Sequence, residues 1–149
     1  MVGDQGHHYG RMWGVAEHVR ELGGIARTCE LYELGVWQTD LQFAKQYREV
    51  IHVRRGWWAL PETPVLAIAA RRAGGRLACV SALEFYGEAR SNGLHVALDR
   101  SARHPREPHV VSHWSRDRLP GSRLAVSMEV AREQAAKCPY NQSLFLNER

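Results

Sequence analysis

The stretch VIHVRRGWWALPE, from Val50 to Glu62, decides how the first half of this chain is read. Val50-Ile51-His52-Val53 and Trp57-Trp58-Ala59-Leu60 have the β-branched and aromatic content of two short strands. Arg54-Arg55-Gly56 between them reads as a tight turn, with Gly56 where positive φ is needed. Successive strand residues face opposite ways, so Trp57 and Trp58 are expected on opposite faces. One should pack on the preceding helices, and the other should be half-exposed or buried against the second half. Core packing and an exposed, surface-contacting role are both open for either tryptophan. Pro61 and Pro64 close the unit and put a boundary near Glu62 or Thr63.

Upstream of the hairpin the apolar period is helical. Met12, Val15, Ala16, Val19 and Leu22 follow i, i+3, i+4, i+7, predicting an amphipathic helix over 12–22 that stops at Gly23-Gly24. Ile25-Ala26-Arg27 reads as a short extended lead-in. Thr28 is expected to N-cap a second, short helix ending near Leu34, with Gly35 just past its end. A third helix is expected from about Gln38 to Tyr47, its core side carrying Trp37, Leu41 and Ala44, with Phe43 and Tyr47 flanking.

Helix, short helix, helix and hairpin in succession make the plan of a winged helix-turn-helix, whose third helix is the one expected in the major groove of DNA. Gln38, Gln42, Lys45 and Gln46 share one face of that helix. Glutamine can bond adenine through N6 and N7, lysine can reach guanine or phosphate, and Thr39 at the helix start can reach a phosphate. Arg54 and Arg55 at the hairpin tip supply a second contact, to phosphates or the minor groove, which Arg48, His52 and Trp57 can extend. The same polar stripe also fits the solvated face of a structural helix.

The second half opens with an apolar helix, Pro64 to Ala73, stopped at Gly74-Gly75. Ser81 is expected to cap a short helix through Phe85, ended by Gly87. Leu94 to Leu98 and His109 to Trp114 read as strands flanking a Pro/Arg-rich loop. Ser127 to Lys137 reads as a helix with Met128, Ala131 and Ala135 on one side, broken by Pro139 and followed by a last short helix. The expected fold class is α+β: an N-terminal winged helix-turn-helix over residues 1–62, then a small α/β domain over residues 63–149.

Bulk properties bound the function. The chain has 149 residues, 44% hydrophobic and 24% charged, which is a globular composition. The longest apolar run, Pro64 to Ala70, is far too short to cross a bilayer, so no membrane partner is expected. The N-terminus lacks an apolar signal region, and the three cysteines (Cys29, Cys79, Cys138) are odd in number and far apart. Both features suggest reduced thiols, mostly core-packed, in a cytoplasm. Net charge is +4, which permits a nucleic-acid partner without requiring one. Residues 1–62 hold seven Lys/Arg against eight Asp/Glu, whereas residues 100–123 carry six Arg against Glu107 and Asp117. Any DNA grip from the first half must therefore be local, and Arg103 and Arg106 in the basic loop can add phosphate contacts. That loop equally fits the soluble surface of a basic protein.

Catalytic motifs are scarce. There is no P-loop, no GxSxG and no acid pair beyond Glu129 and Glu133, which fit a solvated helix face. Among eight histidines, His109 and His113 would stand about 13 Å apart along a strand. No Cys or carboxylate pair is seen to complete a zinc set, so neither metal nor cofactor is expected.

The segment HVRELGGIARTCELYELGVWQTDLQFAKQYREVIHVRRGWWALPE resembles the N-terminal winged-helix domain of AbiEi-type antitoxins of type IV toxin–antitoxin systems. Gly23-Gly24-Ile25 is similar to that family's lead-in to the second helix, and Leu34-Gly35-Val36 to the end of that helix. His52-Val53-Arg54-Arg55-Gly56-Trp57-Trp58-Ala59-Leu60-Pro61 is similar to its wing. VLAIAARRAGGRLACVSALEFYG and RLAVSMEVAREQAAKCPYNQSLFLNE resemble, more loosely, the segments that follow in actinobacterial relatives. Many of those relatives continue into a domain similar to very-short-patch-repair endonucleases, and the resemblance here stops short of it. Two positions depart from the family. The third helix carries Gln and a single Lys where Arg is usual. Val80-Ser81-Ala82-Leu83-Glu84 lacks the histidine of the family's SHxSA.

The resemblance implies DNA binding and transcriptional control, and with catalytic motifs scarce the expected function is a double-stranded-DNA-binding transcriptional regulator of antitoxin type, a repressor and not an enzyme. A second reading is an interaction module that binds and neutralises a toxin or a host protein, encoded by a phage or mobile element. Glu17, Glu21, Glu30 and Glu33 would form its acidic surface. A third is the remnant of a nuclease, which predicts no metal-dependent cleavage. No long helix offers a dimer seam, so a monomer on an asymmetric or direct-repeat site is expected.

Overall fold

The computed structural model describes residues 14–91, 93–105 and 107–141. It is a mixed α+β chain with two small three-stranded sheets. The chain divides into two compact units, residues 1–63 and 64–149.

In the first unit, helix α1 occupies residues 14–21. Val15 and Val19 are fully buried, and Ala16 and Leu22 pack beside them. Met12, expected on the same stripe, lies outside the described residues. The lead-in Ile25–Arg27 is a true strand, β1, because it finds a partner. It pairs antiparallel with β3 (Trp57–Ala59), and β3 pairs with β2 (Ile51–Arg54), giving the order β1-β3-β2. The β2–β3 register shifts between His52 and Arg54. Gly56 closes the turn at φ +84 in open space, where a side chain would be strained by the backbone alone.

Helices α2 (Thr28–Glu33) and α3 (Gln38–Gln46) lie between the strands. Thr28 does not cap α2. Arg27 is the N-cap, and Thr28 is the first helical residue. The Thr28 hydroxyl accepts a hydrogen bond from the indole N–H of Trp58 at 2.8 Å, so it is engaged across the fold. On α3, Leu41 and Ala44 are buried as expected, but Trp37 is 53% exposed. Fully buried Asp40 takes the inner position instead. Its carboxylate accepts the backbone N–H of Trp37 at 2.8 Å, an N-terminal cap reached from inside the helix. Val36, two residues before α3, supplies the apolar contact assigned to Trp37.

The second unit is built on β4 (Gly75–Leu77), β5 (Leu94–Leu98) and β6 (Val110–His113) in that order, β4–β5 antiparallel and β5–β6 parallel. Strand β4 was not expected. Gly75-Arg76-Leu77 is too short to show a period, and its identity comes from pairing with Ala97 and its neighbours. Helices α4 (Val65–Ala73), α5 (Cys79–Phe85) and α6 (Met128–Lys137) complete it, followed by a 3-10 turn at Pro139–Asn141. Ser127 caps α6, its hydroxyl accepting from the Val130 N–H.

Ser81 is not a cap. It is buried within α5, accepts the His95 backbone N–H at 2.8 Å and donates to the Gly93 carbonyl at 3.1 Å. Helix α5 therefore starts two residues earlier, at Cys79. His109 precedes β6 and Trp114 follows it, so that strand is shorter than the sequence suggested. Among the described residues no helix is long and apolar enough to cross a membrane.

Candidate nucleic-acid interface

Burial of Leu41 and Ala44 turns the opposite side of α3 outward. Gln38, Thr39, Gln42, Lys45 and Gln46 are all exposed. Gln38, Thr39, Gln42 and Gln46, together with Phe43, line one shallow concavity of ≈ 300 Å³. Lys45 is exposed outside that lining. The sequence reading missed the aromatic character of this surface. Phe43 stacks on Tyr47, with ring centroids 6.5 Å apart and planes 14° from parallel, and Tyr47 and Trp37 are both more than half exposed.

Arg48 follows the C-cap residue Tyr47 with φ +58. Its N–H bonds the Lys45 carbonyl and the next N–H, of Glu49, bonds the Ala44 carbonyl, which closes the helix as a Schellman turn. An arginine in the left-handed region costs about 1 kcal/mol relative to glycine, so this exposed cation is held in a strained position.

On the hairpin, Arg54 and Arg55 are exposed and Trp58 is buried in the core of the unit. His52, the cross-strand partner of Trp58, tilts over its ring with centroids 4.8 Å apart. Trp57 is half-buried, and the Arg27 guanidinium lies 5.1 Å from its ring centroid, a cation–π contact made by strand pairing. Arg27 therefore joins the basic residues of the hairpin. Nothing in the local sequence marks it, because it lies thirty positions from its partner. In the second unit Arg103 is exposed, and Arg106 lies outside the described residues.

The second unit holds a different constellation. Strands β5 and β6 run parallel, with His95 opposite Val111. His113 is two residues beyond Val111 and so shares the face of His95. His95 Nδ1 and His113 Nε2 are 3.2 Å apart, and Cys138 Sγ at the C-cap of α6 is 3.9 Å from His95 Nδ1. Cys79 opens α5 with φ +53, a left-handed conformation rare for a residue with a side chain. One donor atom from each of Cys79, His95, His113 and Cys138 lies within 4.8 Å of the other three. Burial pushes the His95 imidazole down to about 4, with the neighbouring His113 adding to the shift, and burial also lowers His113. Both rings are therefore neutral near pH 7.

Compared with known protein families and with curated proteins, the chain matches none.

Sequence spacing offered no cysteine pair for a zinc set, whereas the fold brings Cys79 and Cys138 beside His95 and His113. His109, the neighbour considered for His113, is exposed in a turn and takes no part. The actual partners come from three other elements, and only the folded sheet and helices bring them together.

Proposed function

We propose that residues 1–63 form a winged helix-turn-helix that binds double-stranded DNA, and that the protein is a transcriptional repressor of antitoxin type. The observation that carries the reading is the outward face of α3, where Gln38, Thr39, Gln42 and Gln46 line one surface with Lys45 and Arg48 exposed alongside. Amide side chains on a helix flanked by cations suit adenine edges and phosphates. The element order, the strand order β1-β3-β2 and the exposed Arg54 and Arg55 at the β2–β3 turn support the same plan. The AbiEi-like wing sequence supports the antitoxin assignment.

The test is fluorescence-anisotropy binding to duplex DNA from the gene's own upstream region over a salt series. Tight, salt-sensitive binding that Arg54→Ala/Arg55→Ala loses is expected. Affinity no greater than for random duplex would remove the regulator reading.

A protein-binding role for the same surface is favoured by one observation. Trp37, Phe43 and Tyr47 are large aromatics left exposed on or beside α3. Such residues are enriched in protein interfaces. A toxin or host protein bound there would be held with weak salt dependence, whereas duplex DNA would not.

A further inference from the structure

We infer that Cys79, His95, His113 and Cys138 form a mononuclear tetrahedral Zn²⁺ site that ties α5, β5, β6 and α6 together. The inference stands apart from the DNA-binding reading, because it concerns only the second unit.

Four observations carry it. First, the donors are two thiols and two imidazoles, the Cys₂His₂ set that suits zinc. The set holds no carboxylate, which makes it a poor site for Mg²⁺ or Ca²⁺. Second, the donor atoms already lie within 4.8 Å of one another. Zn–N and Zn–S bonds of tetrahedral geometry require separations of about 3.3–3.8 Å. The 3.2 Å and 3.9 Å pairs at His95 are close to that range, and with every pair inside 4.8 Å side-chain shifts of about an ångström complete the shell. The spacing is too tight for ligands shared between two metals. Third, Cys79, His95 and Cys138 are buried and His113 is half-buried, so the donors are shielded from bulk water. Fourth, Cys79 sits at φ +53, where glycine would be unstrained, and the residue held there is one whose thiol lies beside the other three donors.

Four protein donors fill a tetrahedral shell and leave no open position for water or substrate, so the role is structural. The tie matters in this unit because β5 and β6 are parallel strands whose connection, among the described residues, is turn and coil and holds no helix. The ion would fix the end of β6 to β5 and to the end of α6. Binding releases protons from the two thiols, which become thiolate ligands, and no oxidation is involved.

The experiment uses the full chain, purified under reductant, stripped with a chelator and titrated with Zn²⁺ and separately with Co²⁺. One equivalent of Zn²⁺ per chain is expected, and Co²⁺ should give the intense visible bands and thiolate charge-transfer absorption of a tetrahedral site. Chelation should lower the thermal midpoint on the order of 10 °C. Cys138→Ser and Cys79→Gly should lose stoichiometric binding, the latter without backbone strain, while Cys29→Ser in the first unit should keep it. The wild-type titration decides the matter even if those variants fail to fold. If wild-type protein takes up no Zn²⁺, and Cys79 and Cys138 react with a thiol reagent equally fast with and without the ion, the histidines are a hydrogen-bonded pair and the inference fails.

Discussion

The indole N–H of Trp58 donates to the hydroxyl of Thr28 at 2.8 Å, which fastens the central strand of the first sheet to the first turn of α2. Thr28→Val keeps the shape of the side chain and removes the acceptor, leaving a mostly buried donor unsatisfied. A loss of about 1–3 kcal/mol in urea unfolding is expected. Trp58→Phe in the same background should cost less than the two single changes added together, because the orphaned donor goes with it.

Arg48→Gly should raise stability while weakening DNA binding. Glycine adopts φ +58 without strain, but it costs more backbone entropy on folding, so the net gain is at most about 0.5 kcal/mol. Arg48→Ala keeps the strain and removes the charge. It should weaken binding with no gain in stability, and comparing the two variants by denaturation and anisotropy separates the effects.

Base reading and phosphate grip should separate in salt titrations. Arg54→Ala should weaken binding to all duplexes and reduce the slope of log K against log salt by about 1. Gln42→Ala should leave the slope unchanged and narrow the difference between operator and random DNA by about 1–3 kcal/mol. A Gln42→Ala variant with unchanged discrimination would exclude a base contact at that position.

Arg71 on α4 is buried and paired at 2.5 Å with Asp99, which begins the basic loop. Asp99→Ala removes that carboxylate from a buried guanidinium and should cost about 2–3 kcal/mol, toward the low side for buried pairs because Asp99 is one-third exposed. The double change Asp99→Ala/Arg71→Met removes both charges and should be milder. Thermal unfolding of the two variants checks the order.

Gly75→Ala should be far more damaging than an ordinary surface change. A Cβ there would overlap the Ala97 carbonyl oxygen, which belongs to the paired strand and cannot swing away. Loss of soluble protein, or destabilisation of about 3 kcal/mol or more, is expected.

Much of the first unit could be read along the chain. The stripe through Val15 and Val19, the stop at Gly23-Gly24, the polar face of α3 and the Arg54-Arg55-Gly56 turn are all local patterns. Each is set by a helical or strand period, or by one residue's backbone freedom. The α+β character and the exposure of Gln38, Gln42, Gln46, Arg54 and Arg55 follow from those periods.

Tertiary structure decided what depended on distant partners. Trp37 looked like a core residue until Asp40 turned inward to cap the helix. Thr28 and Ser81 looked like caps, because short hydroxyl side chains favour helix starts, until Trp58 and His95 claimed their oxygens. Arg27 gained its aromatic partner only when β1 paired with β3. Cys79, His95, His113 and Cys138 carry no shared spacing that would mark them as a set. The sequence by itself determined which residue types were present and which local periods they followed. The parallel pairing of β5 with β6 and the docking of α5 and α6 determined that four of them meet, because non-local contacts leave no repeat along the chain.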